Sequence, residues 1–318
     1  MAPYDVSVCI TSYYHEPYIR QALESVLAQK TSFSYEICVS DDCSGDGTYA
    51  ILQEYADRNP DIHIQRHEEN VGLTANVFSV RCMAQGRYIV HLSGDDYYID
   101  ENKLQKQYDF LESHPEFFAV CTRIEVRVED SAKRHELSPP AKYCGREFTL
   151  DMFLKGINYP LNGIMFRNCF LDEKEREYFS LMPRASHYVD DVTDCILIAK
   201  KGRVYILPDI CTAYRIRKTV TGAHNFTAQN RGLSGYLKHL ENLNNLYAEF
   251  GGELDLFHRY REVIYMAWAP SFYFGKHREY RQALQTVPEE YRKRFLYARS
   301  VVSALADLPR RTLDHLTR

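Results

Sequence analysis

The stretch GRYIVHLSGDD (residues 86–96) joins a short apolar run to two adjacent carboxylates. Its β-branched, aromatic and aliphatic residues predict a buried strand over residues 88–93. Asp95 and Asp96 follow on a tight turn, where adjacent carboxylates repel each other unless a cation or hydrogen-bond donors lie nearby. Mg²⁺ and Mn²⁺ prefer carboxylate and phosphate oxygens, so a metal–diphosphate fits such a turn. A solvated acidic turn that caps the next helix is the alternative.

Strands and helices alternate on both sides of this stretch. Besides residues 88–93, buried strands are predicted over residues 6–10, 35–40, 62–65 and 117–122. Helices are predicted from Pro17 onward, after Thr48, over residues 73–85 with Gly86 as the C-cap, and over residues 101–113. This alternation predicts βαβ units and a parallel sheet, which binds ligands outside the carboxyl ends of its strands.

Three polar loops are therefore expected on one edge of the sheet: residues 11–16, 41–48 and 94–98. Asp42 in the second loop has two interpretations, since a carboxylate there accepts a nucleobase N–H or caps the helix near Thr48. Tyr13 in the first loop either stacks on a base or closes the core. Each feature is weak alone, but their joint placement indicates a binding site.

The rest of the chain divides into an insertion, a second acidic pair and a helical end. Residues 124–150 are charged and predict a hairpin or loop over the sheet edge. Asp190 and Asp191 precede the apolar residues 195–199, so they begin a predicted helix whose dipole favours carboxylates. Leucines recur at helical spacing beyond residue 235. We therefore predict an α/β domain over residues 1–220 and a helical region over residues 221–318.

Composition excludes some classes of protein. The 318 residues contain 39 Lys and Arg against 43 Asp and Glu, a net charge of -4 that disfavours a dedicated nucleic-acid binder. Nine cysteines without a C-x-x-C pair indicate reduced thiols. Residues 1–20 lack the pattern of a secretory signal, and no apolar run is long enough to span a membrane. These features predict a cytoplasmic protein.

Four motifs together resemble the family 2 glycosyltransferases, which have the GT-A fold. They are VSVCITSYY (6–14), VSDDCSGDGT (39–48), ENVG (69–72) and GRYIVHLSGDD (86–96), and the likeness extends over roughly residues 4–215. The resemblance implies an α/β GT-A fold with a mostly parallel sheet and a helical C-terminal extension. It also implies an inverting enzyme that uses a nucleotide-sugar donor, often UDP-linked, with Mn²⁺ or Mg²⁺.

The resemblance assigns roles to particular residues. Ser93 stands where many members have the first Asp of the metal-binding D-x-D region. His224 is a further candidate for the metal or diphosphate, with an exposed loop histidine as the alternative. The other implied roles are base and ribose contacts for Thr11 and Tyr13, the uracil N–H for Asp42, the nucleotide loop for Asn70 and Gly72, the diphosphate and metal for Asp95 and Asp96, and the catalytic base for Asp191, with Asp190 in place of the preceding Glu.

The implied reaction moves a sugar from a UDP-sugar to a hydroxyl of a saccharide or lipid-linked acceptor in cell-surface polysaccharide synthesis. A sugar-phosphate nucleotidyltransferase usually has a Gly-rich basic loop after its first strand, whereas this chain has YYHEP (13–17). A non-catalytic nucleotide-sugar-binding module is the other alternative, although the carboxylates are present. Residues 276–318 carry +5 against -9 elsewhere, which predicts peripheral contact with the inner face of a membrane. Donor sugar, linkage and oligomeric state stay open.

Overall fold

The structure is a computed structural model that describes residues 2–128, 136–188, 191–216, 232–273 and 275–297. The chain forms two compact units. The first comprises Met1–Phe153 and Ile157–Asn225, and the second comprises Leu154–Gly156 and Phe226–Arg318. The predicted domain boundary after residue 220 lies outside the described residues, so it stays a prediction.

A mixed sheet forms the centre of the first unit. In the described part of the chain it has ten strands, in the order β3-β2-β1-β4-β9-β6-β10-β5, with β7 beside β6 and β8 beside β10. The strands are β1 (Tyr4–Ser12), β2 (Tyr35–Asp41), β3 (Ile62–Arg66), β4 (Gly86–Ser93), β5 (Tyr97–Tyr98), β6 (Phe117–Val128), β7 (Glu136–Ser138), β8 (Arg146–Phe148), β9 (Ile164–Arg167) and β10 (Arg203–Ile216).

The long strand pairings are parallel, as the sequence predicts. They join β1 to β2 and β4, β2 to β3, and β6 to β10. The short strands pair antiparallel, and β9 separates β4 from β6. Within the predicted insertion, β7 and β8 add to the sheet on β6 and β10, while residues 129–135 lie outside the described part.

Eight α-helices precede residue 217 in the described part of the chain. They are α1 (Ile19–Leu27), α2 (Thr48–Arg58), α3 (Leu73–Met83), α4 (Lys103–Ser113), α5 (Leu150–Leu154), α6 (Glu173–Phe179), α7 (Leu181–Ala185) and α8 (Asp191–Lys201). The predicted start of α1 at Pro17 is wrong by two residues. Residues 17 and 18 form a turn instead, and the N–H groups of Tyr18 and Ile19 both donate to His15 O.

Helices pack on both faces of the sheet, and the side chains of β1 point alternately to one face and the other. Val6, Val8 and Ile10 are wholly buried in one core cluster, which also contains apolar residues of α1, α2 and α4. Cys9 points to the opposite face, where its Sγ lies 3.7 Å from Val80 O in α3. This placement follows from the two-residue period of a strand, because successive side chains leave on opposite sides.

Gly86 begins β4 and does not cap α3, which corrects the sequence prediction. α3 ends at Met83, and a Cβ on Gly86 would lie only 2.7 Å from the backbone nitrogen of Ser7. The glycine is needed because the backbones of β1 and β4 approach closely at this point. A glycine that follows a helical pattern by three residues fits either role, and sequence spacing does not separate them.

The second unit is helical in its described residues. Its helices are α9 (Leu233–Phe250), α10 (Phe257–Tyr273), α11 (His277–Thr286) and α12 (Glu289–Tyr297). Leu240, Leu243 and Leu246 of α9 are buried, as the leucine spacing predicts. Among the described residues, no helix has the length and apolar character needed to cross a bilayer.

Candidate functional site

The loop after β2 is anchored by Asp41, which the sequence does not distinguish from its neighbour Asp42. Asp41 is wholly buried, and its carboxylate accepts hydrogen bonds from Ser12 Oγ (3.0 Å) and from the N–H of Ser44 (3.0 Å). These bonds tie the ends of β1 and β2 together. Asp41 therefore has a structural role, and Asp42 is the carboxylate that points to the adjoining loop.

Asp42, Asn70 and Gly72 meet at the carboxyl end of β2. The N–H groups of Val71 and Gly72 donate to the Asp42 carboxylate at 2.7 and 3.1 Å, and Asn70 Nδ2 lies 3.5 Å from Asp42 O. Burial raises the pKa of Asp42, and the two N–H donors offset part of that rise. The structure thus brings three predicted nucleotide residues together, while their ligand role stays a prediction.

The alternative in which Asp42 caps the following helix is wrong. The N–H of Thr48, at the start of α2, donates to Asp46 Oδ1 at 3.1 Å, and the Thr48 hydroxyl donates to the same oxygen. Asp42 is bonded instead to the segment before α3. Asp46 therefore caps α2, and Asp42 holds the segment before α3, a distinction that the sequence alone does not make.

Thr11 and Tyr13 lie at the end of β1. Thr11 is buried, and its carbonyl accepts the N–H of Gly94 at 2.8 Å, which joins the first loop to the Gly94–Asp96 turn. Tyr13 is half-buried, its ring meets that of Tyr14 edge-on at 4.8 Å, and burial raises its pKa. Tyr13 therefore has a partly accessible ring at the predicted edge.

Asp96 is held by protein donors. It is 1% exposed. Its carboxylate accepts one hydrogen bond from the backbone N–H of Arg215 at 2.8 Å and another from Asn162 Nδ2. The Asn162 side-chain oxygen accepts the N–H of Ser93 at 3.1 Å. Asn162 thus fixes both ends of the turn. Sequence reasoning missed it because it lies 66 residues beyond Asp96 on a separate element.

Asp95 is the more accessible carboxylate of the pair. Its side chain is 26% exposed, and its Oδ2 lies 3.8 Å from His15 Nε2. The Arg215 guanidinium donates to Asp95 O at 2.9 Å and lies over the Tyr18 ring at 4.6 Å. A hard carboxylate oxygen at this turn fits Mn²⁺ or Mg²⁺, which commonly bind through one or two carboxylates plus phosphate oxygens and water. No cluster of three or more His, Cys, Asp or Glu that would suit a metal occurs among the described residues.

Asp191 begins α8, where its Oδ1 accepts the Val192 N–H at 2.8 Å and its side chain is half-buried. The segment before it contacts the start of α3. The Thr74 N–H donates to His187 O at 3.4 Å, and the Thr74 hydroxyl donates to Ser186 O. The structure thus links the loop that leads to Asp191 with the loop that holds Asp42. Asp190 and His224 lie outside the described residues.

Solved structures share this fold over most of the chain. Residues 1–349 of S. aureus TarS, in complex with UDP-GlcNAc, align with a TM-score of 0.61 at 19% identity, covering 90% of this chain and 82% of that TarS fragment. The mannosyltransferase PcManGT of Pyrobaculum calidifontis, in complex with GDP-Man and Mn²⁺, aligns with a TM-score of 0.54 at 15% identity, covering 99% and 84%. The fold is therefore that of the GT-A glycosyltransferases, as predicted.

Sequence relatives match part of the chain. An uncharacterized protein of Mycobacterium tuberculosis is 37% identical over 164 residues, which is 51% of this chain and 46% of that protein. The putative teichuronic acid biosynthesis glycosyltransferase TuaG of Bacillus subtilis is 40% identical over 106 residues, 33% of this chain and 41% of TuaG. The chain thus spans about half the length of these relatives.

The model of the family "Glycosyl transferase family 2" matches residues 7–171, more than half of the chain. The chain therefore belongs to glycosyl transferase family 2.

Proposed function

We propose that this chain transfers a sugar, with inversion, from a UDP-sugar to a hydroxyl of a saccharide or lipid-linked acceptor. The observation that carries the proposal is the placement of Asp42 and Asp95 at the carboxyl ends of β2 and β4, with the segment before Asp191 in contact with the start of α3. Asp42 is bonded to Gly72, the start of α3 contacts the segment before Asp191, and Asp95 follows β4, which is separated from β2 by β1 alone. Such an edge is where parallel sheets bind ligands.

Nucleotide binding is assigned to the first three loops. A carboxylate offers about four acceptor positions, so Asp42 can accept the uracil N–H in addition to the N–H groups of Val71 and Gly72. Tyr13 provides a ring for the base, and Thr11 lies beside it at the strand end. The bound UDP-GlcNAc of TarS and GDP-Man of PcManGT support a nucleotide-sugar donor for this fold.

Asp95 is the residue assigned to hold Mn²⁺ or Mg²⁺, and Asp96 shapes the turn that presents it. When bound, the ion neutralises negative charge on the diphosphate that leaves. Arg215 adds a positive charge beside the same turn, because its guanidinium donates to Asp95 O. The Mn²⁺ in PcManGT supports this assignment.

Asp191 is the proposed general base. In a single displacement, the acceptor oxygen forms a bond to the anomeric carbon while the bond from that carbon to the diphosphate oxygen breaks. Asp191 takes the proton of the acceptor hydroxyl as this bond forms, and inversion follows from attack opposite the leaving group. Asp191 lies in the first turn of α8, and negatively charged groups interact favourably with the dipole at a helix N-terminus.

We place the reaction in cell-surface polysaccharide synthesis, with the protein peripheral on the inner face of a membrane. The likeness to TuaG supports this setting. A nucleotidyltransferase is less well supported, because the loop after β1 contains neither glycine nor lysine over residues 13–17. Membership of the glycosyltransferase family favours transfer over binding alone.

A donor screen tests the proposal. Purified protein is incubated with individual UDP-sugars and saccharide acceptors, with Mn²⁺ or with EDTA, and UDP release is measured. We expect ion-dependent release with one donor class and a product of inverted anomeric configuration by NMR. The matched control is Asp191→Asn, which keeps the side-chain shape. Retention of configuration, or full turnover in EDTA, contradicts the corresponding part of the proposal.

A further inference from the structure

A buried ion pair joins α3 to α8, the helix that begins with Asp191. Arg81 and Asp194 are both wholly buried, and two parallel hydrogen bonds of 2.7 Å connect their side chains. The guanidinium also lies 3.5 Å from Met182 Sδ and 5.2 Å from the centre of the Phe166 ring. A sulfur atom and an aromatic ring thus lie beside the charge that Asp194 pairs.

Asp194 is the counterion of Arg81 in this environment. Another titratable group near the guanidinium, His91 of β4, has its pKa lowered to about 3 by burial and by the Arg81 charge, so it is neutral at physiological pH. Buried ion pairs are poor contributors to stability, since both charges must leave water, but their fixed geometry defines one arrangement of the elements they join. The planar guanidinium fork sets both distance and orientation.

The position of Asp194 on α8 connects this pair to the candidate base. Asp191 and Asp194 are three residues apart on one helix, so they are neighbours on its surface. Fixing Asp194 therefore limits both translation of α8 and rotation about its axis, and these two movements would displace Asp191.

The other end of α3 contacts the nucleotide side of the site. The Gly72 N–H before the helix donates to Asp42, and Thr74 in its first turn bonds to the carbonyls of Ser186 and His187. A Cβ on Gly72 would lie 3.0 Å from His187 O, so the two segments are in close contact. α3 therefore touches both the residue assigned to uracil and the helix that carries the base.

We propose that Arg81, acting through Asp194, is a positioning residue that sets the place of Asp191 relative to the nucleotide-binding edge. It is not a catalytic residue, because it is wholly buried behind α8. This inference rests on the proposed function, in which Asp191 deprotonates the acceptor.

The test replaces the ion pair by apolar side chains of similar volume, in the double variant Arg81→Met/Asp194→Leu. Such replacements commonly preserve stability, so we expect a Tm close to that of the unaltered protein and an unchanged Kd for UDP. A misplacement of about 1 Å in a reacting group lowers rates about 10²-fold, so we expect kcat to fall by about that factor with little change in the donor KM. Arg81→Lys keeps the charge without the fork and should give an intermediate kcat.

Two further experiments distinguish a loss of Asp191 positioning from a loss of protein stability. Val80→Ala removes buried volume from the same helix without touching the pair, so it should lower Tm and leave kcat unchanged. Adding the Arg81→Met/Asp194→Leu change to Asp191→Asn should cause little further loss of kcat, because its effect acts through Asp191. An unaltered kcat in the double variant overturns the inference, and so does an equal fold-loss in the Asp191→Asn background. Failure of the proposed function has a separate signature, which is an unaltered kcat in Asp191→Asn itself.

Discussion

At the scale of single residues, Asp42 is the one whose environment predicts the largest effect on nucleotide affinity. Asp42→Asn keeps the shape and replaces one acceptor oxygen by a donor. A hydrogen bond to a charged group contributes about 1.5–3 kcal/mol, so we expect UDP to bind roughly ten- to a hundredfold more weakly. Calorimetry measures this Kd. Asp46→Asn, in the same loop but bonded to Thr48, is the matched control and should keep the Kd.

An Asp42→Asn variant that binds UDP as tightly as the unaltered protein removes Asp42 from the nucleotide site. In that case the cluster with Val71 and Gly72 is structural only.

The pH dependence of UDP binding follows from the same carboxyl group. Burial raises the pKa of Asp42 above its usual value, so in the folded protein it takes up a proton at higher pH than an ordinary aspartate. The ionised form is the one that accepts the uracil N–H. UDP affinity should therefore be full at neutral pH and decline on acidification, beginning above the usual aspartate range. Titration of the Kd against pH measures this, and Asp42→Asn should lose the step.

The same shift has a defined sign for stability. An acid whose pKa is higher in the folded state than in the unfolded state contributes stability below its unfolded pKa, and that contribution is lost as pH rises through the folded pKa. The Asp42 carboxyl by itself thus favours the folded state slightly more in acid.

If the Kd for UDP stays constant as the pH falls through the range in which Asp42 takes up a proton, Asp42 does not bind the uracil N–H.

At the scale of elements, Asn162 joins two segments that the sequence keeps far apart. It lies in the one-turn 3-10 helix Leu161–Gly163 and donates to the buried Asp96 carboxylate. Asn162→Ala leaves that carboxylate with one donor fewer, which should cost about 1–3 kcal/mol of unfolding free energy. Asn162→Asp adds a like charge and should cost more. Denaturant unfolding measures both, with Asn59→Ala, at the half-buried C-cap of α2, as a control that removes a side-chain hydrogen bond to a backbone carbonyl instead of to a carboxylate.

If Asn162→Ala unfolds at the same denaturant concentration as the unaltered protein, Asp96 does not depend on this donor. The backbone N–H of Arg215 would then be sufficient to hold the buried Asp96 carboxylate.

Periodicity predicted the elements that pack locally, and it failed where distant segments meet. The helical spacing of apolar residues after Pro17 predicts a buried stripe of Ile19, Ala22, Leu23, Val26 and Leu27. The first four are wholly buried, whereas Leu27 at the end of the helix is 38% exposed. Insertion of antiparallel β9 between β4 and β6 depends on pairing across more than seventy residues, which no local pattern encodes. Motif spacing likewise selected Asp96 and Asp191 as candidates. Asn162, which donates to Asp96, and Arg81, which pairs with Asp194 on the helix of Asp191, are identified only in the tertiary structure.

At the scale of the whole molecule, charge is distributed unevenly, and this predicts contact with anionic lipid. Residues 276–318 carry +5 in a chain of net charge -4, and α11 exposes Arg278 and Arg281 with Lys276 just before it. Each basic residue near an anionic surface contributes about 1 kcal/mol at moderate salt. Flotation should recover the protein with vesicles that contain anionic lipid, and added salt should release it.

The control compares vesicles of neutral phosphatidylcholine and the variant Lys276→Glu/Arg278→Glu/Arg281→Glu. Both should leave the protein in the dense fraction. Equal recovery on neutral and anionic vesicles, or no recovery on either at low salt, is evidence against a membrane-facing C-terminal region.

The central claim is that one carboxylate at the start of α8 removes the acceptor proton. Asp191→Asn keeps the side-chain shape and removes the charge, so it separates chemistry from folding. We expect kcat to fall about 10²- to 10⁴-fold, the usual contribution of general base catalysis, with an unchanged Kd for UDP. Asp190→Asn should lower kcat less. A single-turnover measurement of sugar transfer by Asp191→Asn decides the matter: a rate reduced by two to four orders of magnitude agrees with the account, and a rate equal to that of the unaltered protein contradicts it.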